Sequence, residues 1–221
     1  MNSGPFVVAI DGPAASGKGT LARRLAERFG FAHLDTGTLY RATAALVLEQ
    51  AGDPADPVMA EMAARRVNMA LLSDPQLRGD EIAGAASVVA AIPAVRWVLL
   101  ALQRDFAANP PPPARGAILD GRDIGTVVCP EANVKVFITA SVETRACRRV
   151  KELREQGAAA IYENVLQDLK QRDARDSERQ AAPLAAAADA DLIDTTALDV
   201  DMVLERVSDL VARTLKEKEW L

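Results

Sequence analysis

The chain has 221 residues, with 26 Lys and Arg against 31 Asp and Glu, a formal charge of −5. Its 49% hydrophobic and 26% charged residues rule out wholesale disorder. The acidic balance and the nine aromatic residues argue against a nucleic acid polymer or a membrane surface as partner, so any anion site must be assembled locally. No run of about 18 apolar residues occurs, and the residues before Asp11 lack the basic stretch of a secretory leader. Cys129 and Cys147 have neither a CxxC partner nor histidine company, and read as free thiols. The expectation is a monomeric cytoplasmic protein.

In chain order, Phe6–Ile10 is a continuous apolar run with β-branched residues, the pattern of a strand buried on both faces. Gly12-Pro13-Ala14-Ala15-Ser16-Gly17-Lys18-Gly19-Thr20 comes immediately after and opens a helix over Lys18–Phe29, with Leu21, Leu25 and Phe29 on one stripe. This is the G-x-x-x-x-G-K phosphate loop, with Gly19 where a Ser or Thr usually follows the lysine. Glycines let the backbone wrap around phosphate, successive N–H groups point inward, and Lys18 neutralises charge at the β- and γ-phosphates. The segment predicts nucleotide binding.

Ala32–Leu34 reads as a second strand, ending at Asp35. From residue 52 to 109 the strand–helix rhythm lapses into mostly helical sequence, an insertion followed by the stiff Pro run that ends at Pro113. Ala117–Leu119 is a third strand, ending at Asp120. Val134–Ile138 is a fourth, and Leu192–Ile193 a fifth, ending at Asp194. Helices are predicted over Val142–Arg154 and Ala159–Arg172, separated by Gly157 as a helix stop, and over Val200–Lys218. The whole is an α/β fold with a five-stranded parallel sheet. Its core comprises residues 1–51 and 110–221, and 52–109 form the insertion. Several strands deliver an acidic residue at the carboxyl end, the edge where open α/β sheets bind ligands.

A group of arginines accompanies the phosphate loop. Arg41 follows Asp35, Arg122 lies in Asp120-Gly121-Arg122-Asp123, and Arg172, Arg175 and Arg179 recur at helical spacing. Asp173, Asp176 and Glu178 could make that face a merely solvated, ion-paired one. Beside a phosphate loop, however, the same cations suit a migrating phosphoryl group. Arg145, Arg148 and Arg149 read mostly as surface charge, and His33 as a structural residue beside the second strand. Asp123 has a plainer alternative as well, pairing with Arg122 or capping a helix.

Over nearly its whole length the chain resembles the bacterial cytidylate kinases, P-loop nucleoside monophosphate kinases. The resemblance rests on Ile10 through Thr20, Asp35-Thr36-Gly37-Thr38-Leu39-Tyr40-Arg41 and Ala85-Ala86-Ser87 through Pro93 to Arg96. It continues in Asp120 through Val128 and in Arg172-Asp173-Ala174-Arg175-Asp176. It implies transfer of the γ-phosphoryl group of ATP to CMP or dCMP, with Mg2+ on the phosphates. It also implies a P-loop three-layer fold with a monophosphate-binding insertion and a short lid over residues 169–181. By matching position, Thr36, Arg41 and Arg122 hold the acceptor's phosphate, while Ser87, Arg96 and Asp123 read its base. Arg172 and Asp176 contact sugar and phosphate, and Arg175 and Arg179 close from the lid. Lys18, Arg122, Arg172 and Arg175 are the expected catalytic cations, with Thr20 and Asp120 candidates for the metal through water. The chemistry is consistent, because cytosine offers an N4 donor to a carboxylate where uracil would present an oxygen. A kinase acting on UMP or AMP, or a nucleotide-binding regulator, is the alternative. Two departures from the family pattern are Ala15, where Gly is usual, and a 73–80 segment too short for the usual β insert.

Overall fold

A computed structural model describes residues 4–155 and 157–220, with Arg78 described by its backbone only. Five strands, β1 Phe6–Asp11, β2 Ala32–Asp35, β3 Gly116–Gly121, β4 Val134–Thr139 and β5 Asp191–Asp194, form one sheet in the order β2-β3-β1-β4-β5. All neighbouring pairs are parallel. Each expected strand is present, one to three residues longer than its apolar run. The hydrogen-bond ladder continues past the last apolar side chain into the polar residues at the strand ends.

Alternation across the pleat sorts the side chains onto two faces. Phe6, Val8 and Ile10 of β1 join Ile118 and Val136 on one face, under α1 (Lys18–Phe29) and the C-terminal helix. Ala9, Leu34, Ala117 and Leu119 face the other way, toward the helices between β2 and β3. These are α2 Thr36–Leu48, α3 Pro57–Ala64, α4 Asp80–Val89 and α5 Pro93–Ala108. Short 3-10 turns occupy Met69–Ser73 and Pro75–Arg78, and among the described residues no strand lies between β2 and β3.

After β4 come α6 Val142–Glu155 and α7 Tyr162–Glu178, packed on each other through Ala146, Val150, Leu153, Val165 and Leu169. Gly157, at φ 82°, closes α6, with Ala158 N donating to Leu153 O at 2.9 Å. α7 runs six residues beyond Arg172, because no Gly or Pro interrupts it before Pro183 and its charged residues are good helix formers. The final helix, α8 Val200–Glu217, buries Val203, Val207, Val211 and Leu215, a four-residue spacing that aligns them on one face. Each such burial contributes roughly 1.5–3 kcal/mol. Among the described residues no single helix is long and apolar enough to cross a membrane.

Strand register brings the polar strand ends together. Ile10 pairs with Asp120, Asp11 with Gly121, and Asp35 with Asp120, so the carboxyl ends of β1, β2 and β3 stop at one level. Gly12 turns the chain out of β1 at φ 148°, and a Cβ there would lie 2.0 Å from the Ile138 carbonyl oxygen. We therefore expect Gly12→Ala to cost about 3 kcal/mol or more in a urea unfolding titration of the ligand-free protein, as a backbone clash that no rotamer change relieves.

Candidate active site

The loop from Gly12 to Gly17 leaves β1 and turns into α1 through Gly17, at φ 92°. Ala15 adopts a left-handed φ of 57°, a conformation that costs a residue with a Cβ about 1–2 kcal/mol. This is the physical content of having Ala at that position. Lys18, at the start of α1, is buried and donates to the Pro13 carbonyl at 3.2 Å, folding its ammonium back over the loop.

Around Lys18 opens a cavity of about 390 Å³ lined by the phosphate loop, the ends of β2 and β3, and α7. Six basic side chains, Lys18, Arg23, Arg41, Arg122, Arg149 and Arg172, face it against three acidic ones, Asp35, Asp120 and Glu152. Burial above all, with Arg122 next, lowers Lys18 from 10.5 to about 7, and Asp120 and Asp35 oppose the shift. Arg172 is brought down to about 10 by burial and by Arg122, and its Nε is buried without a hydrogen-bond partner. Arg122 donates from Nε to Asp176 Oδ2 at 2.9 Å. Burial works against ionisation of Asp176, but Arg122, Arg172 and Arg179 outweigh it and hold the carboxyl below its ordinary range. Thr36 is placed differently from a phosphate ligand. Its hydroxyl is buried and donates to the Asp120 carbonyl at 2.8 Å, fastening α2 to β3.

A second cluster lies beyond Arg122. Arg96 on α5 donates from Nη2 to Asp123 Oδ2 at 2.5 Å and from Nη1 to the Ala90 carbonyl at 3.2 Å. Its guanidinium sits 5.4 Å from the centre of the Tyr40 ring. Arg179, just past α7, places Nη2 3.8 Å from Asp123 Oδ1 and Nη1 3.9 Å from Asp176 Oδ1. Ser87 Oγ is buried with no partner. Asp123 thus neither pairs with Arg122 nor caps its own turn. Arg175 is exposed and lines a separate cavity with Ser87 and Arg172.

On the outer side of the phosphate loop, a third cavity of about 330 Å³ shares Ala15, Ser16, Gly17 and Thr20 with the first. Its floor is mostly apolar, including Ile138, Leu198, Val200 and Val203, with Thr195 and Arg148 at the polar side.

The cytidylate kinase family profile matches residues 8–213. The chain belongs to the cytidylate kinase family. It is 56% identical over 207 residues to the cytidylate kinase of Rhodospirillum rubrum, covering 94% of this chain and 97% of that one. To that of Paramagnetospirillum magneticum it is 58% identical over 195 residues, 88% and 92% of the two chains. To that of Bartonella bacilliformis it is 47% identical over 217 residues, 98% and 99% of the two. Among solved structures, an uncharacterized protein from Eubacterium ventriosum superposes with a TM-score of 0.54 at 14% identity, over 94% and 98% of the chains. A gluconokinase from Sinorhizobium meliloti gives 0.50 at 13% identity, over 98% and 97%. At those identities the likeness shows the fold alone.

Within this cytidylate kinase fold, three residues have parts that their sequence context did not disclose. Arg145 is buried, not surface charge. It donates to the Ala140 carbonyl at 3.0 Å, to the Ala14 carbonyl of the phosphate loop at 3.2 Å, and to both oxygens of Asp173 on α7, the shorter contact 2.6 Å. Arg148 donates to the Thr195 carbonyl at 2.6 Å and its hydroxyl at 3.0 Å, pinning the end of β5. Arg149 is closer to the surface reading, paired with Asp80 and Glu152. His33 is tied to the site, its Nε2 sharing a 2.7 Å hydrogen bond with Asp120 Oδ2. The other oxygen of Asp120 lies toward Gly19, 3.9 Å from where a Cβ would stand.

The state of Lys18 yields a test. A polyanion in the cavity reverses the lowering of its pKa, so binding near neutral pH takes up a proton. Titration calorimetry of ADP at pH 7.5, in buffers of different ionisation enthalpy, should show net proton uptake of more than about half a proton, absent in Lys18→Met.

Proposed function

We propose that the protein transfers the γ-phosphoryl group of ATP to the 5′-phosphate of CMP and dCMP. The observation that carries the acceptor assignment is the buried Asp123 carboxylate, held by Arg96; the Ser87 hydroxyl on α4 is also buried and, among the described residues, unpartnered. A carboxylate accepts from the N4 amino group of cytosine, while a guanidinium and a hydroxyl donate to N3 and O2. Uracil offers an oxygen in place of that amino group and meets the carboxylate unpaired.

ATP lies along the phosphate loop, its adenosine in the apolar outer cavity and its β- and γ-phosphates against Lys18 and the loop amides. The acceptor phosphate is held across the same inner cavity by Arg41, Arg122 and Arg172, with Thr36 anchoring α2 to β3 behind it. Asp176 and Arg179 face its sugar and base. Residues 52–109 form the acceptor-binding insertion, and residues 169–181, with Arg175 at the rim, close over the reaction. Among the described residues no group of three or more His, Cys, Asp and Glu could hold a metal unaided. Asp35, Asp120 and Thr20 nevertheless border the phosphate cavity, and one or two carboxylates completed by phosphate oxygens suit Mg2+. Asp120 and Thr20 would hold Mg2+ there, and the ion would supply charge neutralisation on the nucleotide's phosphates.

In the reaction an oxygen of the acceptor phosphate attacks the γ-phosphorus in line. The bond from γ-phosphorus to the bridging oxygen breaks, and the electron pair stays on the β-phosphate of ADP. The nucleophile is already an anion, so no general base is required. Lys18, Arg122 and Arg172 counter the charge on the migrating group, and alignment does the rest. Exclusion of water by α7 and the residues after it suppresses hydrolysis of ATP. We propose a monomer working in a reducing compartment, in keeping with two cysteines that are both free.

A coupled ADP-release assay over CMP, dCMP, UMP and AMP tests the assignment. CMP and dCMP should lead by a wide margin, and a lead for UMP or AMP would overturn it. Lys18→Ala should lower kcat at least about a hundredfold with an unchanged circular dichroism spectrum. Asp123→Asn should reduce kcat/KM for CMP much more than for UMP, and equal losses would remove Asp123 from base recognition.

A further inference from the structure

Asp123 stands immediately before a π-helical turn, Ile124–Val128, at a backbone of φ −144° and ψ 26°. An aspartate at that position ordinarily bends back to accept from the first free amides of its own helix. Elsewhere in the chain it does so. Asp35 accepts from Gly37 N, Asp56 from Val58 N and Met59 N, Asp74 from Gln76 N, and Asp199 from Met202 N. Asp123 makes no such bond.

Of the two amides in reach of such a cap, that of Gly125 is occupied, as is that of Ile124 before it. Ile124 N donates to Asp11 Oδ1 and Gly125 N to Asp11 Oδ2, each at 2.7 Å. Asp11 is the last residue of β1, buried to 4% exposure, and reaches the turn from 113 positions away in sequence. The approach is close, since a Cβ on Gly125 would lie 3.4 Å from Asp11 Oδ2. Burial raises the Asp11 carboxyl to about 6 against the pull of these two amides, so at neutral pH it is ionised and both oxygens accept.

We propose that Asp11 is a positioning residue for base selectivity: it caps from β1 the turn that Asp123 would otherwise cap, and so leaves the Asp123 carboxylate turned toward Arg96 and the acceptor's base. The inference rests on Asp123 as the base-reading group. It gives a buried carboxylate outside the phosphate chemistry a defined task. It also ties the strand that launches the donor loop to the residue that inspects the acceptor.

Asp11→Asn keeps the shape but turns an NH2 group toward one of the two amides, and Asp11→Ala leaves both open. The readout is the ratio of kcat/KM for CMP to that for UMP, in which any damage to the shared ATP loop cancels. Asp11→Asn should lower this ratio at least about tenfold, chiefly through KM for CMP. The double variant with Asp123→Asn should be no less selective than Asp123→Asn alone, since both act through one carboxylate. A crystal structure of either Asp11 variant should show Asp123 bonded to the amides of its own turn. If Asp11→Asn loses activity equally on CMP and UMP while Asp123→Asn changes the ratio, Asp11 is only structural and the inference fails. If Asp123→Asn leaves the ratio unchanged, the reading of Asp123 itself fails and takes the inference with it. Should Asp11→Ala not fold, the nearly isosteric Asn variant decides between these outcomes.

Discussion

Positive charge that the protein does not neutralise by itself is the constraint on which the rest of this structure depends. Lys18, buried, and Arg172, half-buried, line one cavity with Arg122, and both lose part of their proton affinity to burial and to the Arg122 charge. Such an arrangement is unfavourable in isolation. It persists because the surrounding fold over-determines it: the phosphate loop is set by β1, Arg122 by β3, and Arg172 by a 17-residue helix packed on α6. A bound polyanion supplies the missing counter-charge. On the proposed assignment, part of the affinity for nucleotide comes from relief of this repulsion.

The acceptor side uses the opposite strategy. Asp123 and Asp176 are already engaged by Arg96, Arg122 and Arg179. Here the protein balances its own charges, and on the acceptor assignment proposed above a nucleotide joins an already paired network. The two halves meet where β1 and β3 end at the same level, which is why one strand register serves both the donor loop and the acceptor cluster.

Much of this was legible in the chain alone, for a physical reason. Strands buried on both faces leave continuous apolar runs, and the phosphate loop needs Gly, Lys and a helix in fixed order. Both are local, so β1, the loop and α1 could be read residue by residue. The Asp35, Asp120 and Asp194 strand ends were visible for the same reason. Arg145 and Arg148 were not, because a basic stretch on an amphipathic helix looks solvated until tertiary packing brings carbonyls against it. Their partners include the main-chain oxygens of Ala14 and Thr195, which leave no mark in side-chain pattern. Thr36 looked like a phosphate ligand by position, yet its proton goes to a neighbouring strand. His33 read only as a structural residue beside the second strand because Asp120, its partner, lies 87 residues away. α7 runs to Glu178, past the helix predicted to stop at Arg172, in keeping with the helical spacing of Arg172 and Arg175.

The Arg145 guanidinium has a consequence for thermodynamics. It grips the carbonyl of Ala14 and the carboxylate of Asp173 at once, adding a rigid fork to the apolar packing of Ala14 with Val165 and Leu169 of α7. Any displacement of that helix on ligation is felt at the loop, and any ordering of the loop is felt at the helix. On the proposed placement of ATP and its acceptor, this joint links the elements that hold the two nucleotides. Whatever factor one contributes to the affinity of the other, linkage requires it to be returned in equal measure.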